Sequence, residues 1–164
     1  MNTKSSAILL MFVLTVLTFP VFGQSDSFSG KWKLNRDKTT LQNSQLFLSE
    51  ITLLRKSDSL FTTRVYENQN GETYPFKENL PLNGKECKII IYDMPRTAKA
   101  TWSPNDGSIN FESATIFSGN NGQDTVKAKE VWKTEANGKI LTITATTSFS
   151  AGTATGVQYF DKLE

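Results

Sequence analysis

Trp102-Ser-Pro-Asn-Asp-Gly107-Ser-Ile-Asn-Phe-Glu-Ser-Ala-Thr-Ile-Phe117 is answered further along the chain by Trp132-Lys-Thr-Glu-Ala-Asn-Gly138-Lys-Ile-Leu-Thr-Ile-Thr-Ala-Thr-Thr-Ser-Phe149. One pattern is written twice. A strand ends in Trp, an Asp-Gly or Asn-Gly pair makes a tight turn, and a β-rich strand runs on to Phe. Asn-Gly and Asp-Gly supply the left-handed backbone that short hairpin turns need, so the repeat predicts consecutive antiparallel hairpins. In the second copy Leu141, Ile143, Ala145, Thr147 and Phe149 alternate with Thr142, Thr144, Thr146 and Ser148, which gives the sheet one dry and one wet face.

Working outward, the same grammar covers the rest of the chain. Glu50 to Lys56 turns at Ser57-Asp58-Ser59 into Leu60 to Glu67, and Asn70-Gly71 turns into Thr73 to Leu80. Asn83-Gly84 marks the next turn, Glu86 to Asp93 the next strand, and Met94-Pro95 its close before Arg96 to Trp102. Asp124 to Lys133 leads into the second repeat, and after a turn at Ala151 to Thr155 the segment Gly156 to Lys162 finishes the sheet. Upstream, Phe28, Trp32 and Leu34 share one register of a first strand, and Arg36 to Leu48 reads as a loop with one helical turn near Leu41 to Gln45. No stretch carries a helical period over ten residues. The expected fold is all-β: a single up-and-down antiparallel barrel of about 8–10 strands, because closing a meander on itself removes its open edges. A rolled open sheet or a sandwich is the alternative.

Met1 to Gly23 reads as an export signal, with Lys4 ahead of an apolar run from Ala7 to Phe19 and Val21-Phe22-Gly23 before the cut. A retained membrane anchor is the rival, but the run is short for a span of roughly 20 residues. The expected domain is therefore 24–164, secreted or periplasmic, with no stable membrane insertion once the signal is gone. A formal net charge of +2 with interspersed signs gives no footprint for nucleic acid. Cys87 is the single cysteine, so no disulfide forms within the chain.

Chemistry is limited by what is missing. With no histidine and one cysteine, the histidine-based nucleophile systems, most zinc sites and thiolate cages lack their ligands. No glycine-rich phosphate loop precedes a helix. We therefore expect no catalytic residues, no metal and no cofactor. Carboxylate catalysis stays open through Glu112 and Glu130 on neighbouring strands. Such charges also occur on any solvated strand face, or paired with lysines across the sheet. Arg64 and Lys99 would hold an anionic head group if they faced a lumen, and would be ordinary solubilising side chains if they did not. Strand aromatics could wall a pocket or fill the barrel completely. The candidate ligand-binding set is Arg64, Tyr66, Phe76, Lys99, Phe111, Glu130 and Trp132.

Gly30-Lys31-Trp32, opening the first strand of such a meander, resembles the Gly-x-Trp entry of lipocalins and the wider calycin barrels. In that family the Trp closes the barrel floor against an Arg or Lys from the last strand. Lys162 lies near the matching place, while no Arg follows Trp132, a departure from the pattern. With the closing Tyr159-Phe160-Asp161-Lys162, nearly the whole exported portion resembles small bacterial proteins called lipocalin-like, which are largely of unknown function. Fatty-acid-binding proteins open similarly but place a helical pair between the first two strands, for which Arg36 to Leu48 is short. The resemblance implies a barrel that binds a small apolar or amphipathic molecule. A side-chain-filled module using its loops to meet an unknown protein partner, and a carboxylate enzyme, are the competing readings.

Overall fold

The computed structural model describes residues 27–39, 46–119 and 122–164. The expected signal at 1–23 and the helical turn near Leu41 to Gln45 lie outside the described residues. Ten strands follow in chain order: β1 (Gly30–Leu34), β2 (Leu46–Lys56), β3 (Ser59–Asn68), β4 (Thr73–Pro81), β5 (Cys87–Ile91), β6 (Met94–Ser103), β7 (Ser108–Gly119), β8 (Gly122–Glu135), β9 (Ile140–Phe149) and β10 (Gly152–Leu163). They form one antiparallel sheet in the order β4-β3-β2-β1-β10-β9-β8-β7-β6-β5. The first and last strands meet as the closure argument requires, with Trp32 opposite Lys162. The two repeats form the β6–β7 and β8–β9 hairpins, and Gly107, Asn137 and Gly138 carry the positive φ angles of their turns.

The barrel closes in one place and parts in another. β4 and β5 follow each other in sequence but do not pair, so Asn83-Gly84 is not a hairpin turn. It crosses instead to β6, where Asn83 bridges Thr101 and the Gly84 N–H donates to the Ala100 carbonyl at 2.8 Å. Side chains span the rest of the gap. The Tyr92 hydroxyl donates to the Pro75 carbonyl at 2.7 Å, and Tyr92 stands edge-on to Tyr74.

Several strand boundaries differ from expectation, most by one or two residues, and three of them bear on the fold. β2 begins at Leu46, before Glu50, because a bulge between Leu48 and Glu50 leaves Phe47, Leu48 and Ser49 all buried and breaks the alternation. Met94-Pro95 opens β6 instead of closing β5. Tyr92 and Asp93 make the turn with φ of 49° and 62°, and Pro95 precedes the first β6–β7 pair, where its missing N–H costs no ladder bond. β10 starts at Gly152 instead of Gly156 and pairs along the whole of β9.

One end of the barrel is filled. Phe28, Trp32, Ile51, Leu53, Leu60 and Phe160 are almost wholly buried there, each worth about 1.5–3 kcal/mol of burial. Lys162 lies over the Trp32 ring with Nζ 5.0 Å from its centroid, taking the cationic place at the floor. Gly30 makes room for it: a Cβ there would fall 2.5 Å from Lys162 Cε.

Candidate functional site

Above this floor the strands turn a charged layer inward. β3 alternates Leu60, Thr62 and Arg64 to the inside, β4 does so with Glu78 and Leu80, β6 with Ala98 and Ala100, and β8 with Glu130 and Trp132. Arg64 is fully buried and lies on two stacked rings, with its Cζ 4.3 Å from the Phe111 centroid and 4.8 Å from that of Trp132. Its Nη1 donates to both oxygens of Glu130 at 3.0 and 3.1 Å. Its Nε sits 3.5 Å from Glu78 Oε2. Glu130 also accepts the Trp132 indole N–H at 2.6 Å.

The other oxygen of Glu78 accepts from Arg96 Nε at 2.8 Å, and Arg96 Nη1 donates to Thr115 Oγ1 at 2.9 Å. Because Glu78 is on β4 and Arg96 on β6, this pair links β4 to β6 across the parting from inside. Two guanidiniums and two carboxylates thus form one chain, Glu130–Arg64–Glu78–Arg96. Removing one member of a buried pair typically costs about 3–5 kcal/mol, since it leaves a bare charge in the interior.

Burial works to lower the pKa of Arg64, but Glu130, Tyr66 and Glu78 outweigh it and hold the guanidinium more firmly protonated than usual. Burial also raises the Tyr66 phenol above its ordinary value, against the opposing pull of Arg64. Tyr66 stacks nearly parallel to Phe76, with centroids 5.8 Å apart.

Beyond the charged layer the barrel is open. A cavity of about 1030 Å³ runs from the layer to the unfilled end, at the upper limit of the roughly 300–1,000 Å³ common for drug-sized ligands. Its walls are mostly apolar, among them Phe76, Ile91, Phe117 and Phe149, while Tyr66, Arg96, Ser113, Thr115, Glu130 and Gln158 are among its polar groups. Ser113 Oγ is buried and has no hydrogen-bond partner among the described residues. The same holds for Thr62 Oγ1 and, in the charged layer, for Arg64 Nε and Nη2 and for Glu78 Oε2; the 3.5 Å approach of Arg64 Nε to Glu78 Oε2 is an ion pair without a hydrogen bond. The filled-barrel expectation therefore holds for the floor and fails above it.

Of the seven candidates, six come together here: Arg64, Tyr66, Phe76, Phe111, Glu130 and Trp132. Lys99 does not. It lies on the outer face, its Nζ 3.0 Å from Glu112 with both side chains nearly half exposed, because Ala98 and Ala100 take the inward positions on either side. Glu112 is thus on the opposite face from Glu130, and the carboxylate pair suggested by their neighbouring strands is not assembled. Sequence reasoning missed Glu78 and Arg96. Parity could have found both, since Glu78 alternates with Phe76 and Leu80, and Arg96 with Ala98 and Ala100.

No protein-family model and no curated protein matches the chain. Among solved structures, zebrafish ileal bile acid-binding protein in complex with cholic acid is similar at 16% identity and a TM-score of 0.45, covering 84% of this chain and 99% of that one. The overlap is loose, so what the cavity can hold has to be read from its own side chains. The class defined by strand order and interior is a ten-stranded up-and-down antiparallel barrel with a filled floor and an open upper chamber.

Proposed function

We propose that this chain is an exported protein that holds a small apolar or amphipathic molecule in its barrel and carries out no reaction on it. The observation behind this reading is the chamber itself, about 1030 Å³ with mainly apolar walls. Burying apolar ligand surface against such walls gains about 25 cal/mol per Å² before the costs of association. The inward carboxylates fit this role better than acid–base work. Glu130 is engaged by Arg64 and Trp132, and Glu78 by Arg96 and Arg64. Export rests on the leader-like Met1 to Gly23.

Native mass spectrometry of the protein purified from its own host tests the reading. A stoichiometric small molecule that leaves on activation is the expected result. Bare protein that also fails to enhance the fluorescence of N-phenyl-1-naphthylamine would contradict it. N-terminal sequencing of the exported form should begin near Gln24.

A further inference from the structure

Cationic side chains inside a barrel invite the reading that they clamp an anion, and the sequence alone offers that role for Arg64. The arrangement of the layer speaks against it. Arg64 is shared by Glu130 and Glu78, and Glu78 is shared by Arg64 and Arg96. Two positive charges therefore meet two negative ones. The charged side chains facing the chamber are Arg96 and Glu130, one of each sign. A ligand carboxylate reaching Arg96 would add a second anion to a guanidinium whose charge Glu78 already balances, with Glu130 facing the same chamber. A ligand ammonium reaching Glu130 would compete with Arg64 and the Trp132 N–H. Each would leave a charge stranded in a low-dielectric interior.

Neutral hydrogen-bonding groups at the same end have room to act. Ser113 Oγ is buried without a partner among the described residues, and Gln158, Thr115 and Tyr66 also line the chamber, Thr115 while accepting from Arg96, and Tyr66 with its phenol beside Arg64. A hydroxyl both donates and accepts, so it can satisfy Ser113 and approach either the guanidinium or the carboxylate without upsetting the charge balance.

We infer that the molecule held in the chamber is an uncharged amphiphile with a hydroxyl-bearing head, and that the Glu130–Arg64–Glu78–Arg96 chain selects against both fatty acids and alkylamines. This rests on the ligand-binding reading given above and narrows it. The test is displacement of N-phenyl-1-naphthylamine from wild-type protein at neutral pH by monolaurin, laurate and dodecylamine, each kept monomeric. Monolaurin should displace the probe at concentrations at least tenfold below either ion. A Glu78→Gln variant, which leaves one guanidinium unmatched, should narrow the gap between monolaurin and laurate by about tenfold and leave the order of monolaurin and dodecylamine unchanged. Laurate or dodecylamine equalling monolaurin on the wild type would overturn the inference while leaving the binding reading standing. Failure of the probe to bind at all would overturn both. The wild-type comparison decides the matter even if the variant does not fold.

Discussion

At the scale of single residues, the interior charges make the sharpest claims. Arg64→Met leaves Glu130 and Glu78 facing each other's environment without the cation between them. It should cost about 3–5 kcal/mol in urea denaturation, and adding Glu130→Gln should recover a large part of that. Lys99→Ala, on the exposed pair with Glu112, should change stability by less than about 1 kcal/mol. Tyr66 gives a pH signature. Its phenol is held protonated by burial, with Arg64, Glu130 and Arg96 as its charged neighbours. A group whose pKa is raised on folding contributes stability below its unfolded value and loses it as pH rises toward the folded one. Between about pH 10, where an unfolded tyrosine ionises, and the higher folded value, wild type should lose stability faster than Tyr66→Phe. Parallel pH slopes for the two proteins would exclude this. Arg64 and Glu130 were legible in sequence because each shares a parity with clear apolar partners, Leu60 for one and Trp132 for the other. Lys99 was misplaced because its neighbours of like parity are threonines, which suit either face of a sheet.

At the scale of elements, pairing decides which strands are firm. β7 and β8 are long and flanked on both sides, whereas β5 has five residues and a single neighbour, β6. Amide exchange should therefore be fastest in β5, by at least about tenfold relative to the centres of β7, β8 and β9, with β4 intermediate because it pairs fully with β3. Tyr92→Phe removes the hydroxyl that reaches the Pro75 carbonyl across the gap, and should speed exchange in β5 further while leaving β8 unchanged. Uniform protection across the ten strands would show that the parted edges are not a weak seam. The hairpins of the two repeats could be read from sequence because turn chemistry is local, with Asn137 and Gly138 carrying it on their own backbone. The start of β2 could not. Its bulge places three consecutive buried residues where a period-two search expects alternation, and only the partner strand defines that register.

At the scale of the whole molecule, the meander, the strand number and the meeting of Trp32 with Lys162 follow from a chain whose edges need partners. The opening between β4 and β5 does not follow from any local signal. It depends on how far the strands shear as they wind round, and Asn83-Gly84 looks like every other hairpin turn until its partner proves to be β6. The same winding separates a packed floor from an open chamber, with the charged layer as the boundary. The most direct test of that division is a methyl-labelled NMR titration of delipidated protein with monolaurin. Methyl signals of Ile91, Val126, Ala128 and Ala145, which line the chamber, should shift saturably, while Leu53 and Leu60 in the floor and Val131 on the outer face stay in place. Shifts confined to the outer face, or none at any site, would mean that the chamber takes no ligand.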